Sequence, residues 1–75
     1  METVVPGIYQ HFKDGHQYLV LGEFEHTETG EILIAYKALY GTFKSSTRPK
    51  AMFVEDVDRP DYDYKGPRFW LVNAF

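Results

Sequence analysis

The chain has 75 residues, of which 44% are apolar, 25% charged and 17% aromatic, and its formal net charge is −3. That length closes around one core, so a single domain spanning residues 1–75 is expected and a two-domain protein is excluded. The absence of cysteine removes disulfides, thiolate metal sites and cysteine nucleophiles together. The negative balance disfavours a general electrostatic DNA binder, although a local basic patch remains allowed.

No apolar run approaches the roughly eighteen residues of a spanning helix. The opening Met-Glu-Thr-Val-Val-Pro-Gly lacks the basic and apolar regions of a signal peptide, so a cytoplasmic protein without a membrane partner is expected.

Gly and Pro punctuate the chain at short intervals, and the runs between them are rich in Tyr, Phe, Ile, Val and Leu, which suit a pleated surface. The first predicted strand, Ile8 to Phe12, ends at Lys13-Asp14-Gly15, a tight-turn signal. The second runs from Gln17 to Glu25. Gly22 in its middle marks a bulge or sharp bend, and Glu23 and Glu25 are expected to face solvent. A polar hairpin loop follows over 26–31, with Gly30 as its left-handed residue.

The third strand is predicted from Ile32 to Tyr40, with Ile34, Tyr36 and Ala38 on one face and Leu33, Ala35 and Lys37 on the other. Residues 42–47 read as a polar loop. Pro49 opens one helical turn through Lys50 to Phe53. A short strand is expected over Val54–Val57, then a charged, proline-bearing loop over 58–67, then a final strand from Arg68 to Val72.

Five short strands with one helical turn predict an all-β fold, a small five-stranded antiparallel SH3-like barrel in which closure covers exposed edges. Six phenylalanines, six tyrosines and one tryptophan exceed what so small a core readily hides. Phe12, Tyr18, Phe24, Tyr36, Phe53 and Phe69 are the expected core rings. Tyr40, Phe43, Tyr62 and Tyr64 form the surplus.

An ordered series of residues resembles a known family. It comprises Tyr9, His11, Phe12 and Lys13; Tyr18, Val20, Leu21 and Gly22; His26, Glu28 and Thr29; Tyr36, Ala38, Leu39, Tyr40 and Gly41; Arg48, Pro49, Met52 and Phe53; and Pro67, Arg68 and Phe69. From about Gly7 to Phe69 the chain resembles the small bacterial proteins of domain-of-unknown-function family 1653. The resemblance implies an SH3-type barrel and brings no established activity. Where that family usually carries an acidic residue, a glycine and a tryptophan after Tyr40-Gly41, this chain has Thr42, Lys44 and Ser46. Ala51 replaces an acidic residue. If this loop is the family's binding surface, its chemistry is altered here.

His11, His16 and His26 are the metal candidates by residue type, but their spacing defines no ligand set, and neither a metal nor a cofactor is expected. The acidic run from Glu55 to Asp63 lacks the glycine and terminal glutamate of a calcium loop and reads as a solvated loop. Asp61-Tyr62-Asp63-Tyr64 places rings beside carboxylates, a chemistry that suits peptides bearing proline or arginine. Lys44, Arg48 and Lys50 lie near Tyr40 and Phe43, a set that could hold a phosphate and stack a base. Arg48 alone could instead bond loop carbonyls or pair with Glu55.

No nucleophile elbow, ordered Ser/His/Asp series or Gly-rich phosphate loop is present, so an enzyme is not expected. The leading expectation is a binding or adaptor module that recognises a peptide or protein partner through Tyr40, Phe43, Arg48, Tyr62 and Tyr64. The chain would be a monomer or a weak homodimer. A weak RNA or nucleotide binder using Phe43, Lys44, Arg48 and Lys50 is the alternative from the other ligand class, and a small enzyme comes third.

Overall fold

A computed structural model describes residues 3–75. Strands β1 (Gly7–His11), β2 (Gln17–Glu25), β3 (Ile32–Ala38) and β4 (Ser45–Pro49) are followed by a single helical turn, α1 (Lys50–Phe53). Strand β5 (Asp56–Arg59), a 3-10 turn over Pro60–Tyr62, β6 (Tyr64–Pro67) and β7 (Phe69–Ala74) complete the chain. The main sheet is antiparallel in the order β4-β3-β2-β1-β7, and β5 and β6 form a separate hairpin. The all-β class, the five-stranded antiparallel sheet and the helical turn at Lys50–Phe53 are therefore as the sequence implies.

The sheet rolls because β2 bends. Between Val20 and Gly22 the register against β3 shifts, leaving Leu21 without a cross-strand partner, and Gly22 takes a φ of 124° that a side chain resists. The bulge also inverts the facing of everything after it. Before it, Val20 lies opposite Tyr36 on the core face; after it, Glu23 lies opposite the fully buried Ile34, and Phe24 lies opposite Leu33 on the outside.

Phe24 is consequently 49% exposed rather than a core ring. Glu23 stays exposed, as expected, but leaves the strand on its core face. There its carboxylate accepts the Val4 N–H at 2.7 Å and pairs with Lys50 Nζ at 2.8 Å, tying the N-terminal arm and α1 to β2.

The core is Val4, Tyr9, Val20, Ile34, Tyr36, Phe53 and Phe69, with Tyr18 packed against it. Phe53 and Phe69 stack at 4.4 Å, Tyr9 meets Phe53 edge-on at 5.5 Å, and Tyr36 lies 6.0 Å from Phe69. These contacts carry β7 across to α1 and β3, so side chains complete the wall where β4 and β7 share no ladder. Phe12, expected inside, is half-buried at the end of β1, where the Asp14-Gly15 turn carries the chain out of the sheet.

Five strands, β3 to β7, differ from the sequence expectation in place or extent. The polar run Ser45–Pro49 is strand β4, because the outer edge of β3 offers it a complete ladder. The strand expected at Val54–Val57 lies two residues later, as β5, and pairs with Tyr64–Pro67, which reads as loop. β3 ends at Ala38 rather than Tyr40, and β7 continues to Ala74.

Candidate functional site: an aromatic ribbon at one end of the sheet

Alternation along each strand places His11 of β1, Tyr18 of β2, Ala38 of β3 and Arg48 of β4 on the inner face. His11 lies opposite Phe69, Tyr18 opposite Ala38, and Arg48 opposite Ile34. His11 and Tyr18 end their strands beside the β1–β2 turn, and two further segments converge there. Leu39 N–H bonds Gln17 carbonyl across to the β3–β4 turn, and Phe12 N–H bonds Arg68 carbonyl beside the β5–β6 hairpin.

On this frame the rings form a chain. Tyr40 stacks on His16 at 3.8 Å and meets Tyr18 edge-on at 5.7 Å, and the Tyr18 and Tyr40 hydroxyls lie 2.8 Å apart. Tyr18 continues edge-on to Phe69 at 5.7 Å and to His11 at 6.5 Å. His11 stacks on Phe12 at 4.8 Å, and Phe12 stacks on Tyr64 at 5.0 Å and meets Tyr62 at 6.0 Å. Arg48 holds its guanidinium 5.7 Å above Phe69, at the centre of this series.

The sequence-predicted site residues are thus brought together in part. Tyr40, Arg48, Tyr62 and Tyr64 all belong to the connected series. Phe43 shares the turn with Tyr40, to whose carbonyl its N–H bonds, but it stands outside the ring contacts, 55% exposed and at φ 56°. The ring that links the two ends is Phe12, which the sequence reading places in the core, and His11 and His16, which it weighs as metal ligands, are ribbon rings instead. An aromatic residue at the end of a predicted strand, just before a turn, is the signal that points to Phe12.

The basic group Lys44, Arg48 and Lys50 is broken up, because Lys50 turns to Glu23. Arg48 does not pair with Glu55, which accepts Arg68 at 2.6 Å instead. Asp61 and Tyr62 are partly occupied within the chain: Arg59 pairs with Asp61 at 2.8 Å and lies 5.0 Å over the Tyr62 ring, with Lys13 at 5.9 Å.

Two groups of the ribbon, Tyr18 and His11, are biased toward their uncharged forms. Burial pushes the Tyr18 hydroxyl well above its ordinary value, and the hydrogen bond with Tyr40 adds to this. Burial lowers His11, with Arg48, Arg68 and Lys13 acting in the same direction and Asp14 opposing them. Each histidine also serves a turn. His11 Nδ1 accepts Lys13 N–H, His26 Nδ1 accepts Glu28 N–H, and His16 Nδ1 lies 3.2 Å from Asp14. Among the described residues no three His, Asp or Glu side chains are grouped to hold a metal.

A separate cavity lies elsewhere. It is an apolar groove of about 600 Å³ between the N-terminal arm, α1 and β7, lined chiefly by Val4, Val5, Tyr9, Phe53, Phe69 and Leu71. Asp56 is the one charged side chain on its wall. The ribbon, with rings, hydroxyls and a guanidinium together, carries far more recognition chemistry than this groove, so it is the better candidate.

Comparison with known proteins covers the same region. No curated protein matches the chain. The model of family DUF1653, described as a protein of unknown function, matches residues 7–71, from β1 into β7. The crystal structure of a protein belonging to DUF1653 from Bordetella bronchiseptica is similar with a TM-score of 0.82 and 35% sequence identity, over 96% of this chain and 91% of that one. With the family pattern running through every strand of the main sheet and the fold shared at that level, the chain belongs to the DUF1653 family.

Proposed function

We propose that the protein is a non-enzymatic binding module of the bacterial cytoplasm that takes a peptide, or an extended segment of a partner protein, along the aromatic ribbon. The observation that carries this reading is the unbroken run of part-exposed rings from Tyr40 through Tyr18, His11 and Phe12 to Tyr62 and Tyr64. It is assembled from three turns that have no other evident reason to share rings. Rings with hydroxyl tips supply contact area at small entropic cost, which suits apolar and proline-bearing peptide segments.

Charge separates this from nucleic-acid binding. Asp14, Asp61 and Asp63 stand on the turns that bear the ribbon, and the diversion of Lys50 to Glu23 leaves too little positive charge to follow a phosphate backbone. Ser45 and Ser46 lie on β4, and neither hydroxyl bonds a histidine among the described residues.

Amide chemical shifts of labelled protein test the reading directly, recorded against a degenerate hexapeptide library with one fixed proline or aromatic position and against a uridine hexamer. Shifts confined to Tyr18, Tyr40, His11, Phe12, Tyr62 and Tyr64 with peptide support it. Shifts produced by the uridine hexamer alone, lost in about 0.3 M salt, overturn it in favour of nucleic acid.

A further inference from the structure

We propose that Arg48 is the anchor for a single carboxylate of the bound peptide, so that the ribbon selects a segment bearing one acidic group among apolar or basic neighbours. This rests on the peptide-binding reading above and adds to it the chemistry that would fix the segment in place.

The first support is the register. Arg48 lies opposite Ile34, which is fully buried, so its side chain leaves an edge strand toward the inside of the rolled sheet rather than toward solvent. Its guanidinium stops above Phe69, half-buried, at the middle of the ring series. The second support is the distribution of partners. Arg59 pairs with Asp61, Lys50 with Glu23, and Arg68 with Glu55 through one terminal nitrogen, although the buried Arg68 Nε has no partner among the described residues. Arg48 alone among the arginines has neither an ion pair nor a side-chain hydrogen bond among the described residues. Arg48 is half-buried as a residue and its guanidinium donors are taken by no group among the described residues, so an anion arriving from outside can pair with it, and a carboxylate matches its fork in two parallel bonds.

Neighbouring groups define which anion. His11 accepts the Lys13 N–H at Nδ1, so its neutral ring carries the proton on Nε2 and remains a donor. The ring of Phe69 beneath the guanidinium favours a flat group above it. Asp14 is close enough to act on both His11 and Tyr18, and Asp61 and Asp63 bound the other end. Arg48 at the centre and Lys13 near Tyr62 are the cations on this series without an ion pair among the described residues, and the flanking Asp14, Asp61 and Asp63 disfavour a run of negative groups. An inward-facing charge on an edge strand also discourages edge-to-edge pairing. That role needs only positive charge and is met equally by lysine, which gives the experiment its control.

The test titrates four small probes into the labelled domain: N-acetyl-phenylalanine, its amide, N-acetyl-Glu-Phe-amide and phenyl phosphate, read at the Arg48 Nε–H and at the ribbon amides. The acid is expected to bind about tenfold more tightly than the amide, a preference lost in Arg48→Gln and reduced severalfold in Arg48→Lys. The amide spectra of both variants away from Arg48 serve to show that they are folded. Preference for the free acid over the Glu-containing amide assigns a C-terminal carboxylate, and the reverse assigns an acidic side chain. Equal binding of the free acid, the Glu-containing amide and the neutral amide at the ribbon, or a preference that survives Arg48→Gln, overturns the anchor while leaving the peptide-binding reading standing. Tighter binding of phenyl phosphate overturns it in favour of a phosphate. Absence of any shift at the ribbon with all four probes overturns both readings.

Discussion

At φ 124°, Gly22 holds a backbone conformation that only glycine adopts without strain, and two facing patterns depend on it. An added Cβ would find ordinary space, 3.6 Å from Pro6, so the cost of substitution is conformational rather than steric. Gly22→Ala should destabilise the domain by about 1 to 3 kcal/mol, measured by urea unfolding. The sequence announces the bulge through a glycine in a strand. It does not announce the change of phase, because period-2 alternation read through the bulge puts Phe24 on the core face, whereas it lies exposed on the outside.

Phe43 shows the converse. It is a bulky residue at φ 56° with more than half its surface exposed, so it sits in a left-handed conformation with little packing to support it. Phe43→Gly should be neutral or stabilise the fold by up to about 1 kcal/mol, raising the melting temperature by a few degrees. A clear loss of stability would mean that the ring packs more than its exposure suggests.

Among the elements, α1 is only one turn long and cannot stand alone. It is held by Phe53, which is 2% exposed and stacked on Phe69, and by the Lys50–Glu23 pair. Phe53→Ala should cost about 3 to 5 kcal/mol, a large part of the stability of a domain this small, and lower the melting temperature by at least about 15 °C.

The ion pair has its own pH signature. Lys50 and the Val4 N–H hold the Glu23 carboxyl below its ordinary value of 4.5. The folded state therefore prefers the ionised form: its contribution is present above that value and is lost as pH falls through the lower, folded value. Glu23→Gln should flatten that part of the acid limb of stability, and urea midpoints between about pH 2 and pH 6 would show it.

The elements also show why β4 and β6 escape a sequence reading while α1 does not. The Arg48-Pro49 step announces the turn locally. Ser45–Pro49 and Tyr64–Pro67 lack apolar alternation and are extended because a neighbouring strand offers them a ladder, which is a property of the fold and not of the segment.

For the whole molecule, composition already announces more rings than the core needs. It does not announce that Phe12 and Tyr64, fifty-two positions apart, stack face to face, or that Tyr18 links both ends of the series. Those contacts follow from how the sheet rolls and where the β5–β6 hairpin returns, and neither is written in any local stretch. Site residues chosen by exposure, Tyr40, Tyr62 and Tyr64, are therefore legible singly, while their connection is not. Arg48 is visible as a cation, but its inward direction appears only with the β3–β4 register.

The central claim is that these rings act as one binding surface. The most direct measurement is the amide-shift map of the wild-type domain with the proline- and aromatic-fixed hexapeptide library, repeated on Tyr40→Ala and on Tyr62→Ala. The ribbon predicts shifts on all three turns in the wild type and weaker binding in both variants, by about 1 kcal/mol or more each. Shifts confined to the apolar groove around Phe53 and Leu71, unchanged in either variant, would contradict it.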